Sequence, residues 1–182
     1  MQKLSAEELL AQYARGRRDF REVDLTAAYL FEANLAEIDL TGSDLTNAHL
    51  PYADLSQATL QDTVLTNVEL SNSQLYRTNF AGAKMQGANL SRANLRRANL
   101  TQAELSEANL DSADLRNANL QGARLSWATL LRAELAGAEL AQADLQGANF
   151  FRAQNVDFAD AQLDHTTTFP DGHRQPEPTS SE

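Results

Sequence analysis

This 182-residue chain predicts an all-β solenoid, in which short extended segments joined by regular corners wind into coils that pair as parallel strands. Three observations carry the prediction. Every fifth residue from Phe20 to Phe150 is Leu, Phe or Met, twenty-seven positions without an exception. The residue two before each of these centres is small through most of the array, and from Ala83 to Ala148 it is always Ala. Six of the eight glycines (Gly42, Gly82, Gly87, Gly122, Gly137 and Gly147) share one position, two residues after the centre.

A period of five suits neither regular structure. On an α-helix, at about 100° per residue, positions five apart drift by about 140° and form no apolar stripe. On a straight strand five is odd, so successive leucines would face opposite sides. The pattern is satisfied if the chain bends once per repeat: small residue inward, Asn or Asp outward, Leu inward, then two outward residues at the corner. The second corner position also holds Asn47, Asn67, Asn72 and Asn117, and Pro51, the one proline of the array, stands at a first corner position. Proline first and Gly or Asn second is the pattern of a turn whose second residue needs positive φ. Arg and Gln occur there too, which predicts that some corners are of another type.

The units ADLSQ, ANLRR, ANLTQ and ADLRN carry the A-(D/N)-L-x-x signature of the pentapeptide-repeat family, which the chain resembles from Phe20 to about Leu163. The resemblance implies a right-handed quadrilateral parallel β-helix, with four repeats per coil and Leu and Ala stacked inside. At that size the array makes about seven coils, a rod about 35 Å long at the parallel-strand spacing of about 4.8 Å. Val23, Ile38, Thr63, Val68 and Thr78 replace the small Ala in the first half and are expected to widen the early coils.

Residues 1–18 predict a short helix capping the open first coil. Ser5 and Glu8 have the spacing of a capping box, Leu4 can staple onto Leu9, and Gly16 stops the helix. Ala6, Leu9, Leu10 and Tyr13 form its apolar face. The repeat domain spans 19–169. The period breaks after Ala153, where Phe158 and Leu163 resume the five-residue spacing shifted by three, and Phe169 to Gly172 (FPDG) reads as a closing turn. The polar, proline-rich tail 170–182 is expected to be disordered.

Composition narrows the function. There is no cysteine, hence no disulfide and no Cys-based zinc site. No apolar run long enough to span a membrane and no continuous apolar signal segment is present, so a cytoplasmic protein without membrane contact is expected. The net charge of −10 argues against direct nucleic-acid binding. Under a twenty-residue coil Asp24 stacks with Asp44, and Asp114 with Glu134, at a spacing near that of a retaining glycosidase pair. No loop insertion builds a cleft around either pair, so solvated ladders are the reading. His49 faces outward near Glu69 and Tyr29, and His165 and His173 lie in the terminal segment. No nucleophile–base set, phosphate loop or metal spacing is present, and neither an enzyme nor a cofactor is expected.

Two surface regions are uneven. Tyr29, Phe31, His49, Pro51 and Tyr52 gather near the N-terminal end. Tyr76, Arg77, Arg96, Arg97 and Arg116 fall at one set of corners with Arg92 beside them, an arginine concentration in an acidic chain. These six are the candidate partner-binding residues. The leading expectation is a non-enzymatic protein–protein interaction or regulatory module, a monomer or weak dimer whose partner is a protein with an acidic surface. In its cap and unbroken array the chain is similar to cytoplasmic pentapeptide-repeat proteins of cyanobacteria, some of which act in regulation such as cell differentiation. The alternative implied by the resemblance is a DNA mimic binding DNA gyrase or another type II topoisomerase. Against it stand the uncharged Asn79, Asn89, Asn94, Asn99 and Asn109, the arginine corners, and the absence of loop insertions.

Overall fold

The structure, a computed structural model, describes residues 1–175. Its organising contact is a parallel bridge between residues twenty apart: Asp19, Asp39, Thr59, Asn79, Asn99, Asn119 and Glu139 form one ladder through seven successive coils. Three further ladders begin at Asp24, Tyr29 and Asn34, so each coil has four sides of five residues. All twenty-seven centres from Phe20 to Phe150 are buried, and they form one continuous core with the small positions.

Backbone carbonyls accept four of the five N–H groups of the repeat, and a side chain takes the fifth, so none is left unpaired. Leu25 donates to Asp44 of the next coil at 2.7 Å, Ala27 donates to Thr46 at 2.9 Å, and Asp44 donates back to Val23 at 2.9 Å. Ala28 closes the corner on the Leu25 carbonyl at 2.9 Å. The fifth donor, the first corner residue, is the one left over. Thr26 gives its N–H to the Asp24 carboxylate at 2.9 Å, and Ser56 does the same to Asp54 at 2.9 Å. This explains why Asn or Asp precedes Leu: a short side-chain acceptor satisfies an N–H that no neighbouring coil reaches.

The corners differ from expectation. Every second corner residue from Glu22 to Arg152 has positive φ, including Arg77 at 57°, Gln102 at 56° and Trp127 at 62°. Residue identity selects no other corner class. The two inter-coil hydrogen bonds flanking each corner impose the left-handed conformation, and glycine merely adopts it with less strain.

Polar residues at the small positions are buried and hydrogen-bonded. Thr63 and Thr78 donate their hydroxyls across coils to the Leu40 and Leu55 carbonyls, at 3.1 and 2.8 Å. Ser43 donates to Phe20 at 3.0 Å and accepts from the Val23 N–H at 3.1 Å. The twenty-residue register runs unbroken past them, from Asp39 to Thr59 and from Val64 to Lys84.

At the N-terminus the chain adds a feature the sequence did not suggest. Strand β1 (Gln2–Lys3) pairs in parallel with β2 (Val23–Asp24), extending the first coil's ladder outward. Helix α1 (Ala6–Ala14), shorter than the 1–18 reading, follows with the capping box of Ser5 and Glu8 formed. Leu4 and Leu9 are buried in the core, and the Tyr13 hydroxyl donates to the Ala36 carbonyl at 2.8 Å, so the helix lies over the first coil. Leu10, assigned to the apolar face, is 36% exposed; Leu4 takes its place.

Beyond Ala153 the bridges shorten to Asp144 with Gln162 and Asn149 with Thr168. Phe158 packs edge-on against Phe150 and Phe169, each at 5.1 Å, at the C-terminal end of the core. The FPDG turn forms, with Gly172 donating to Phe169 at 2.9 Å. The first tail residues are held: Pro170 accepts the Arg152 N–H at 2.8 Å, and Arg174 donates to the Thr168 hydroxyl at 2.9 Å. The rest of that tail, 176–182, lies outside the described residues.

Candidate interaction surface

The solenoid presents its sequence as four flat sides and four columns of corners, so a surface site is a set of residues twenty apart. The column carrying Tyr76, Arg77, Arg96, Arg97 and Arg116 is continuous. Arg77 donates its backbone N–H to the Arg96 carbonyl at 3.0 Å, and Arg97 donates to the Arg116 carbonyl at 3.0 Å. All four arginines are exposed and Tyr76 is half-buried. The Arg77 guanidinium sits 5.2 Å from the Tyr76 ring centre, a cation–π contact. Arg116 is ion-paired with Asp114 at 2.5 Å, and this hydrogen bond holds the Asp114 carboxyl below its ordinary value. Among the described residues Arg77, Arg92, Arg96 and Arg97 make no ion pair. Arg92 lies on the preceding column, separated from the others by one side of the coil.

The second uneven region is as continuous. The Tyr29 and His49 rings stack at 5.0 Å, Phe31 lies 6.3 Å from each, and Tyr52 meets Phe31 edge-on at 5.8 Å. Tyr29 is 66% and Tyr52 55% exposed. The same side also carries Trp127, 63% exposed, and Phe151, 39% exposed, which sequence reading passed over. A twenty-residue count stacks Phe151 six coils above Phe31 and places Trp127 on the corner just before the Tyr29 ladder.

The uncharged Asn positions form amide ladders. Asn99 donates to Asn79 at 2.9 Å, and Asn109 to Asn89 at 3.2 Å. Asn89 donates to both Glu69 oxygens at 3.0 and 2.9 Å. Burial raises the Glu69 carboxyl, but hydrogen bonds from Ser71 and Asn89 outweigh it and hold the group below its ordinary value.

The carboxylate pairs stack as anticipated, Asp24 on Asp44 and Asp114 on Glu134. A general acid needs a raised pKa. Asp24 is shifted the other way, by hydrogen bonds from the Thr26 hydroxyl and N–H, as Asp114 is by Arg116. A cavity of about 220 Å³ opens where the period breaks, lined by Gln121, Glu139, Asp157 and Asp160 among others, and it holds no nucleophile–base pair. Among the described residues no cluster of His, Asp and Glu is placed to hold a metal ion. No helix among them is long and apolar enough to cross a membrane.

A four-sided coil of five-residue sides, its interior filled by Leu and Ala, defines a solenoid repeat protein. The chain belongs to the family described as Pentapeptide repeats, which it matches in 8 copies over residues 24–62, 53–92, 93–130, 118–154 and 130–167. It is similar to HetL, a pentapeptide repeat protein involved in heterocyst differentiation regulation from the cyanobacterium Nostoc sp. strain PCC 7120. That match has 27% identity over 94% of this chain and 100% of that one, with a TM-score of 0.39. It is also similar to alr5209 from Nostoc PCC 7120, at 32% identity over 89% of this chain and 97% of that one, with a TM-score of 0.35. The third comparison is Rfr23 from the cyanobacterium Cyanothece 51142, at 24% identity over 90% and 99% of the two chains, with a TM-score of 0.46. No curated protein matches the sequence.

Proposed function

We propose that this protein is a non-enzymatic interaction module, a right-handed quadrilateral rod that acts in the cytoplasm by presenting its arginine corner to an acidic protein surface. The right hand is what membership of the pentapeptide-repeat family implies. The observation that carries the functional reading is the stacked column of Arg77, Arg96, Arg97 and Arg116 beside Tyr76. The backbone bonds from Arg77 to Arg96 and from Arg97 to Arg116 fix their spacing. Planar, bidentate donors spaced by a rigid backbone lose little entropy on pairing with carboxylates, and Arg and Tyr are the residue types enriched at binding hot spots. In a chain of net charge −10, the three arginines of the column without an ion pair among the described residues, Arg77, Arg96 and Arg97, are placed for a partner.

The test is the double variant Arg96→Glu and Arg97→Glu used as bait in the native cytoplasm. Both side chains are exposed, so the fold is expected to persist while the wild-type partners are lost. Recovery of the same partners would place the interface elsewhere. The mimic reading rests on the net charge and rod shape, and a gyrase supercoiling assay separates it: inhibition by wild type, or protection from quinolones, would favour it. The arginine column opposes it, since like charge repels a groove built for DNA.

A further inference from the structure

Among the described residues seven large apolar side chains are exposed, of which Met1 and Leu10 belong to the N-terminal segment. The other five, Tyr29, Phe31, Tyr52, Trp127 and Phe151, all lie on one side of the rod with its two flanking corners. That side is the ladder Tyr29, His49, Glu69, Asn89, Asn109, Thr129 and Asn149. The apolar residues form two patches, one at each end, and the three rows between are a hydrogen-bonded Glu–Asn–Asn ladder. Asn89 is the middle rung.

We propose that this side is the interface of an antiparallel homodimer whose two-fold axis lies along the strand of Asn89. Such an axis keeps each residue's place in the repeat and reverses the order of the coils. It therefore sets Phe31 against Phe151, both exposed and apolar. It sets the exposed Glu32 against the exposed Arg152, acid on base. It brings Tyr52 onto Arg132, an arginine already oriented by Asp111 at 2.5 Å. The axis along the rod, the other way to join two such sides, would face Phe151 with Gly147 and keep Glu32 and Arg152 at opposite ends. Of the two arrangements, only the antiparallel one joins Phe31 to Phe151 and Glu32 to Arg152 in an isologous contact. Arg92 meets its own copy at the axis, the one like-charge contact of the arrangement, one coil from Asp111, whose carbonyl accepts the Arg92 N–H at 2.9 Å.

The size fits. One of four sides offers at most about a quarter of the 8913 Å² total, about 2,200 Å², which leaves room for the about 800 Å² each partner buries in a standard interface. Tyr76, Arg77, Arg96, Arg97 and Arg116 stand on the next corner column and stay accessible, so the dimer does not depend on the arginine reading.

Sedimentation equilibrium of the full chain tests it. Wild type is expected to form dimers in a concentration-dependent manner. Glu32→Arg and Arg152→Glu are each expected to weaken association at least tenfold, because two-fold symmetry repeats each repulsive contact. An equimolar mixture of the two variants recovers the wild-type affinity, since every 32–152 contact then joins opposite charges. Circular dichroism confirms that both variants are folded. A wild type monomeric to millimolar concentration would overturn the dimer and leave the side for a different protein. Single variants associating as tightly as wild type, or a mixture no tighter than its components, would overturn this interface.

Discussion

The indole of Trp127 lies over Gly147 in the next coil, so close that a Cβ there would come within 2.6 Å of the ring. Second-corner side chains lie along the rod, over the corner that follows. Gly147→Ala must therefore displace the chain's one tryptophan, whereas Gly122→Ala meets only the Gln102 stem at 3.6 Å. Both replace a positive-φ glycine and are expected to cost about 1 kcal/mol. Trp127 emission should shift in the first variant and stay unchanged in the second.

The mid-rod core gives a second expectation. Leu100 is fully buried and Ala98 is 1% exposed, so Leu100→Ala should cost about 2–5 kcal/mol and Ala98→Leu about 1–3 kcal/mol. Gln102 is at an exposed corner, and Gln102→Ala should stay within about 0.5 kcal/mol. Chemical denaturation ranks the three, and equal tolerance would contradict the inward assignment.

Buried hydroxyls should not be equivalent. In Thr78→Val the Leu55 carbonyl loses one donor but keeps the Ala58 N–H at 3.0 Å, so the cost is about 1 kcal/mol. Ser43→Ala strands the buried Val23 N–H and should cost more, about 1–3 kcal/mol beyond the lost bond. Urea denaturation with unchanged m-values would compare them directly.

Removing residues 1–16 takes away both β1 and the buried Leu9, exposing the edge of β2 and the first coil's interior. The truncated protein should self-associate through that edge, seen by light scattering. A monomer of unchanged stability would assign the helix another role.

Acid should weaken the first coil in a defined window. The Arg21 side chain, with the Arg21 N–H, holds the Asp19 carboxyl at about 2, below its ordinary 3.8. A depressed folded-state pKa contributes stability above the unfolded value and loses it as pH falls toward the folded one. The melting-temperature difference between wild type and Asp19→Asn should thus be constant above about pH 5 and shrink between about pH 4 and 2. A difference independent of pH would exclude the linkage.

The sequence by itself determined which residues point inward and where the chain turns, because a five-residue period admits one alternation of small, polar and large residues. It also exposed the arginine column once a twenty-residue coil was implied. Other features depended on contacts between coils. Arg77 and Trp127 adopt left-handed corners against their own preference, because two inter-coil hydrogen bonds outweigh the local strain of each. Leu10 turned outward because α1 sits on the first coil through Leu4, Leu9 and Tyr13. The side that joins Tyr29 and Phe31 to Trp127 and Phe151 was hidden for the same reason. Residues about a hundred positions apart become one surface only when every coil between them holds the same register, and that register is set by the parallel bridges of the folded rod.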